Sequence, residues 1–531
     1  MIAEFAQQLS RLRANPSLSG PDVKPWFAQN PVRRDLCSSR SRGILASGDR
    51  HMSGLSIGRR AFWARLLLLG IVAGIGGQGL SGREAENDWT QFGWDLAGSG
   101  ASNAPTGINA VNVASLSRHQ VNLDGTVDAS AIYLHGAIVK GSAHDVFFVT
   151  TTYGKTIAVD AHQGSILWEY TPPKYDSWVG TRQISNSTPV ADPDRQNIYA
   201  AAPDGTVQKL AVADGHVVWT TPITLLPLRE KIASPLKEFR GRIVAVTAGY
   251  IGDRSPYQGH VAILDAQTGK LLHAWNSLCS DRPGLLDPAS CPDSRSAIWG
   301  RAGAVIDGAT GNIFVATGNG PYDGRTNWGD STIELNSDAT QMLGNYTPQD
   351  NAKLDDRDLD VGSTSPALLG DDIVAQGGKD GLIRLLSIKA MGGTAPHAGG
   401  ELQSVSTPSG GRLFTALAVW RHGAETWLFS ADGGGTAAWT LQSGKLVSMW
   451  RNNKGGTSPV VAGGLLYVYN PKGGLYVYDP ANGSQIAELE CGNGHWNSPI
   501  VVDGKIALPE GNANQSASTG VLDIWSLTAG K

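Results

Sequence analysis

A hairpin that closes on tryptophan recurs along this chain at intervals of roughly fifty residues, the spacing of a stacked or radial repeat. It first reads Ala158-Val159-Asp160-Ala161-His162-Gln163-Gly164-Ser165-Ile166-Leu167-Trp168 and returns as Leu210 to Trp219 and Ala262 to Trp275. Looser copies run from Trp439 to Trp450 and from Val477 to Leu489. Each copy is an apolar strand, a polar turn carrying Gly, and a second strand. In Asp265-Ala266-Gln267-Thr268-Gly269 the carboxylate can accept from the following amides while Gly supplies a positive φ. Asp160, Asp265 and Asp479 therefore read as turn residues, and Trp168, Trp219, Trp275 and Trp450 as packing residues.

A second element precedes most copies: Ser-Thr-Pro or Ser-Pro, a short β-run, then a tight turn. Ser187-Thr188-Pro189, Ser365-Pro366, Ser458-Pro459 and Ser498-Pro499 supply the first part, and Asp204-Gly205, Asp380-Gly381 and Gly473-Gly474 the turn. One unit is about four antiparallel strands, a propeller blade. Residues 88–531, at roughly 50 to 55 per blade, predict an all-β, eight-bladed β-propeller of four-stranded antiparallel blades. The last strand, Gly520-Val521-Leu522-Asp523-Ile524-Trp525, has no following partner. Ring closure by the two chain ends is thus expected, because it removes exposed sheet edges. A core of this size needs neither metal nor disulfide in order to fold. The net charge of −4 and the absence of a basic cluster in the repeats argue against a nucleic-acid partner.

Residues 1–87 do not follow the repeat. Arg59-Arg60 and Arg65 precede Leu66-Leu67-Leu68-Leu69-Gly70-Ile71-Val72-Ala73-Gly74-Ile75, a basic region and a short apolar core laid out like an export signal near 59–82. Residues 1–51 read as a non-structural extension, with Met52 as a possible true start, and 52–87 as a signal peptide or anchor. Export to the periplasm follows from that reading. Cys279 and Cys291 bracket a Pro-rich loop and read as a local disulfide, with a zinc pair as the weaker alternative. No Cys-x-x-Cys-His occurs, so the chain carries no covalent c-type haem.

Several stretches go beyond a generic propeller. Asp88-Trp89-Thr90-Gln91-Phe92-Gly93-Trp94-Asp95, Ile108 to Leu116, and Gly311 to Gly320 with Trp328-Gly329-Asp330 resemble the quinoprotein alcohol dehydrogenase family, and the Trp-ended hairpins look like its tryptophan docking motif. The resemblance spans about 88–531. It implies an eight-bladed propeller holding pyrroloquinoline quinone and Ca²⁺, which oxidises an alcohol, polyol or sugar and passes electrons to a separate acceptor such as a cytochrome c. By the same resemblance Asn319 matches a metal-ligating Asn. Asp358 and Asp360 lie where the catalytic base is found, with no choice between them. Lys379 matches a basic residue that contacts the quinone oxygens. The chemistry is coherent. Ca²⁺ takes hard oxygen ligands, a carboxylate serves as general base, and a Lys stabilises negative charge on a reduced quinone oxygen.

The chain departs from that pattern at two places. The position of the Trp that stacks on the quinone is Arg301, with Trp299 two residues earlier, so either residue is a cofactor-wall candidate. Where a metal-binding Glu is expected, only Asp253 offers a carboxylate. Two further alternatives stay open: the 355–360 acidic run also reads as a solvated loop, and Asn319 as a left-handed turn residue between two glycines. His495 beside Trp496 reads as packing. The runner-up function is a non-catalytic periplasmic scaffold that uses its faces for protein contacts, since similar hairpins occur in the outer-membrane assembly scaffold.

Overall fold

The structure is a computed structural model that describes residues 87–250, 252–370 and 372–527. The expected segments 1–51 and 52–87, with the signal-like stretch, lie outside the described residues except for Asn87. Eight four-stranded antiparallel sheets follow one another. Blades 1 to 7 occupy 132–170, 190–222, 237–276, 305–346, 367–406, 418–452 and 460–489 in chain order. Blade 8 combines Ile500–Val502, Lys505–Glu510 and Gly520–Ser526 with Ser117–Leu123 from the other end of the repeat region. That closure runs antiparallel from Ser117↔Ser526 to Leu123↔Gly520, so the unpartnered final strand finds its partner as expected. Among the described residues no helix is long and apolar enough to cross a membrane.

Inner strands are apolar on both faces because each blade is covered by its two neighbours. Phe147, Phe148, Val149 and Ile157 to Val159 in blade 1 are fully buried, as are Leu466 to Tyr469 in blade 7. Outer strands alternate: Ile166, Val217 and Leu272 remain exposed while Trp168 and Trp275 are buried.

The docking hairpins lock neighbouring blades. Asp265 accepts from the amides of Gln267 and Thr268 at 3.1 and 2.7 Å, which holds the turn. The Trp219 ring of blade 2 lies on that turn, its indole N–H reaching the Ala266 carbonyl at 3.3 Å. A Cβ on Gly269, whose φ is +73°, would stand 2.6 Å from the Trp219 ring. Gly215 seats Trp168 and Gly483 seats Trp450 in the same way. The Trp indoles also donate to the next blade, at 2.8 Å to Val212 for Trp168 and 2.8 Å to Pro480 for Trp450. Gly269→Ala should therefore lower stability by about 1–3 kcal/mol through overpacking and backbone strain. Calorimetry would show this as a lower melting temperature, and an unchanged melting temperature would refute the docking account.

Cys279 and Cys291 form a disulfide with Cα atoms 6.1 Å apart, which disposes of the zinc alternative. Cys491 is a buried free thiol that burial pushes up to about 12.

Candidate functional site

A cavity of about 330 Å³ opens where loops from blades 2 to 6 and blade 8 meet. Loops so far apart in sequence can share one cavity only because the ring brings the blade ends together. All seven residues singled out from the sequence line it: Asp253, Trp299, Arg301, Asn319, Asp358, Asp360 and Lys379.

Each is positioned by a loop that leaves or enters an inner strand. Trp299 and Arg301 lie in the segment leading into blade 4, and Asn319 follows its second strand, Ile313–Ala316. Asp358 and Asp360 sit between a short helix, Asn351–Asp356, and the 3₁₀ turn Val361–Ser363. Lys379 follows Ile373–Gly377 of blade 5, and its backbone N–H donates to the Asp360 carbonyl at 3.0 Å, which joins the two segments. Asp253 and Asp358 have φ of +44° and +54°, a left-handed conformation uncommon outside glycine but tolerated by Asp. Asn319 is not left-handed, so its reading as a glycine-like turn residue does not hold.

Lys379 organises the acidic side. Its ammonium lies 2.6 Å from Asp358 Oδ1 and 2.5 Å from Asp360 Oδ1, and 5.1 Å from the centre of the Trp299 ring. The Trp299 indole donates to Asp360 Oδ2 at 3.3 Å, and the Asn319 amide donates to Asp358 Oδ1 at 2.9 Å. Arg412 completes the cluster, 3.2 Å from Asp358 Oδ2. A Cβ on Gly318 would meet both Asp360 and Trp299 at 3.1–3.2 Å, so the loop backbone packs directly on this pair.

The two carboxylates differ sharply. The Asp360 side chain is 1% exposed, and burial raises its pKa against the pull of Lys379. The Asp358 side chain is 59% exposed; burial works to raise it, but the bonds from Lys379 and Arg412 prevail and hold it below the usual carboxylate range. The acidic run is thus divided: Asp356 is solvated, Asp355 pairs with Arg295 at 2.8 Å, and Asp360 is internal. Asp330, just beyond the cavity wall, is pushed up to about 8 by burial and by Asp360 and Asp355.

The opposite side is cationic and aromatic. Arg301 and Lys231 are buried, and among the described residues neither is ion-paired with a carboxylate. Arg301 donates to the carbonyls of Ala233 and Asn186 at 3.3 and 3.2 Å, and Lys231 to Asn186 Oδ1 at 3.0 Å. Burial pushes Arg301 down to about 10 and Lys231 down to about 8. Trp299, Phe414 and Trp496 form a continuous aromatic wall with ring centres 6.1 and 5.7 Å apart. Arg301 stands 5.7 Å from the Trp496 ring centre. Beneath lies buried Asp128, which accepts from His495 at 2.8 Å, Asn186 at 2.9 Å and the Trp496 amide at 2.7 Å.

Lys231, Arg412, Phe414 and Trp496 escape sequence reasoning. Trp496 was visible only as the neighbour of His495, which read as packing; both residues line the cavity. Lys231 sits in an unmarked Glu-Lys pair, and only burial without a counter-ion distinguishes it.

This donor set suits an anionic planar quinone: cations on one side, an aromatic wall, and room for a tricyclic ring. It does not suit a divalent ion as arranged. The space between Asp358 and Asp360 is taken by the Lys379 ammonium, and Asp253, Asp358 and Asp360 do not bring three carboxylate oxygens within 4.8 Å of one another. Asn319 Oδ1, buried and unpartnered, is left as a free acceptor.

Comparison with known proteins places the chain. Over 238 residues it is 25% identical to the quinohemoprotein alcohol dehydrogenase ADH IIB of Pseudomonas putida, covering 40% of this chain and only 31% of that relative's length. The structure superposes on the quinohemoprotein alcohol dehydrogenase of Comamonas testosteroni with a TM-score of 0.62 at 16% identity, covering 83% of this chain and 80% of the other. For ADHIIG of Pseudomonas putida the TM-score is 0.64 at 14% identity, covering 84% and 81%. A europium-containing methanol dehydrogenase gives 0.61 at 14%, covering 83% and 98%. These likenesses establish a quinoprotein alcohol dehydrogenase-like propeller fold. A family model described as outer membrane protein assembly factor BamB matches residues 94–282 and 398–523, more than half of the sequence. The chain belongs to that family of PQQ-type propellers.

Proposed function

We propose that the chain is an exported quinone-dependent dehydrogenase that oxidises an alcohol, polyol or sugar. The observation that carries this reading is the pair of buried cations, Arg301 and Lys231, facing the cavity with no carboxylate in direct contact, buried Asp128 acting on both only at a distance. Burying a charge is costly unless it is paired or used. Two such charges beside an aromatic wall call for a flat anionic ligand, and pyrroloquinoline quinone is one. When bound, the quinone supplies hydride-accepting, two-electron chemistry.

The chain's own residues do the rest. Arg301 and Lys231 neutralise the ligand's negative charge in a site of low dielectric. The wall of Trp299, Phe414 and Trp496 fixes the plane of the ring. Asp360, buried and tied to Trp299 and Lys379, is a positioning residue. Lys379 lines the cavity and would supply a positive charge able to stabilise negative charge on a bound quinone. Asp358 is the substrate-facing base: it is ionised, reachable from the cavity, and takes the hydroxyl proton at Oδ2, the oxygen bound only by Arg412. The electrons leave to a separate acceptor such as a cytochrome c. The Ca²⁺ expected at Asn319 and Asp253 has no place between Asp358 and Asp360, because the Lys379 ammonium already stands there and neutralises them in part.

Reconstitution tests the reading. Pyrroloquinoline quinone added to the protein, with Ca²⁺ or with a chelator, should quench tryptophan fluorescence and bind equally well in both. Dye reduction should then follow with members of a panel of alcohols, polyols and sugars. The family's description as an assembly factor favours a second reading, a scaffold for protein contacts. Failure of the quinone to bind under either condition would establish that one instead.

The same cations dictate a pH dependence. A bound anion stabilises protonated Lys231, whose proton is lost near pH 8, and ionisation of Asp330 near the same pH adds opposing negative charge. Affinity for the quinone should be flat below about pH 7 and fall above pH 8, by up to about tenfold per pH unit for each linked proton. Titration calorimetry at pH 6.5 and 9.5 measures this. Equal affinities at both would remove Lys231 from the site.

A further inference from the structure

Far from the cavity, the seam between blade 1 and blade 8 gathers two histidines and two aspartates. His135 and Asp145 come from the first hairpin of blade 1, His162 from its docking turn, and Asp503 from the first turn of blade 8. His135 Nδ1 lies 2.8 Å from Asp503 Oδ2 and 3.1 Å from Asp145 Oδ1, and His162 Nε2 lies 2.7 Å from Asp145 Oδ2. Among the described residues His135, Asp145 and Asp503 are the three-donor group able to share one ion, with ligand atoms all within 4.8 Å of one another.

The backbone is shaped to bring them together. The strand register shifts between Leu134 and Ala137, so His135 and Gly136 stand opposite the single residue Asp145. This is a β-bulge, a device that re-aims a side chain. Asp503 occupies its turn at φ +50°. The carboxylates are also held from outside: Tyr133 donates to the same Asp503 Oδ2 at 2.8 Å, the Gly136 amide to the same Asp145 Oδ1 at 2.9 Å, and Asn87 to the other Asp503 oxygen, Oδ1, at 3.2 Å. Such outer bonds orient metal ligands. A single imidazole nitrogen carries at most one proton, yet two carboxylates converge on this one. A cation relieves that conflict.

We infer that His135, Asp145 and Asp503 form a three-residue site for a divalent transition metal of the zinc class that staples the first blade to the last, with His162, bound to the far oxygen of Asp145, orienting that carboxylate. One imidazole and two carboxylates, with a fourth position open to solvent, suit that class, whereas Ca²⁺ asks for six to eight oxygens. A tetrahedral site with bonds of about 2.0–2.1 Å separates its donors by about 3.3 Å, close to the 2.8 and 3.1 Å that separate His135 Nδ1 from the two carboxylates. Asp503 also lines an open recess of about 1070 Å³, so an ion has a way in. Because Asp503 belongs to blade 8, the bound ion would tie blade 1 to the blade that Ser117–Leu123 completes by strand pairing.

The test uses the full chain, stripped with a chelator and then titrated with Zn²⁺ and Co²⁺. One equivalent should bind with micromolar or tighter affinity, Co²⁺ should show the visible bands of a four-coordinate site, and the melting temperature should rise with metal concentration. Asp503→Asn keeps the size and the Tyr133 bond and should weaken binding by about 100-fold or more. His135→Ala should abolish binding, and His144→Ala should leave it unchanged. Circular dichroism checks that each variant is folded. Absence of binding below about 100 μM, or tight binding that survives both Asp503→Asn and His135→Ala, would overturn the inference.

Discussion

Asp358→Asn is expected to cut dye-linked oxidation by about 10²–10⁴-fold while quinone affinity stays within about threefold. Asn keeps the side-chain volume and still offers one oxygen, enough to accept from Lys379 while the bond from Arg412 is lost, but it cannot take a proton. Asp360→Asn should behave differently. It loosens Lys379 and the indole of Trp299, so its effect falls on quinone affinity and stability before turnover. Fluorescence titration and steady-state assay, run side by side, separate the two. If Asp360→Asn retains binding and loses turnover while Asp358→Asn retains both, the buried carboxylate is the base and the assignment here is reversed.

The fold was legible because each blade repeats its instructions. The Asp-to-Gly turn, the seat for a neighbour's Trp and the Ser-Pro entry recur often enough that erosion in any one copy, such as Trp439 to Trp450, does not hide the period. The cavity was legible only where a local string carried a resemblance, as around Asn319, Asp358 and Lys379. Lys231 and Trp496 left no such string. They matter because eight blades close in one ring, and one residue from the segment leading into blade 3 and another from the segment leading into blade 8 come to one cavity only through that closure. Arg301 illustrates the converse. It was visible as a misfit where a Trp was expected, yet its role as an unpaired buried cation depends on what surrounds it, which no spacing records. The Lys379 ammonium between two carboxylates is likewise a tertiary fact. It changes the chemistry expected there, from a site seeking a divalent ion to one already neutralised.

That neutralisation predicts the largest stability effect in the molecule. Lys379→Met should destabilise the protein by about 3–5 kcal/mol, since it leaves Asp360 buried without its counter-ion. The loss should depend on pH in a definite sense. The folded pKa of Asp360 already lies above its unfolded value because of burial, so its ionised form opposes folding. Stability is greatest where the group is protonated in both states, below its unfolded pKa of about 3.9, and declines as pH rises toward the folded value. Removing Lys379 raises the folded value further and widens that window. Urea melts of Lys379→Met should therefore show a deficit that grows from pH 4 to pH 7, relative to the unsubstituted protein. The double variant Lys379→Met with Asp360→Asn should recover much of the deficit, because no uncompensated charge remains inside. A deficit of the same size at both pH values, with no recovery in the double variant, would mean that Lys379 contributes packing rather than charge. The cavity would then lose the electrostatic argument for working without a divalent ion.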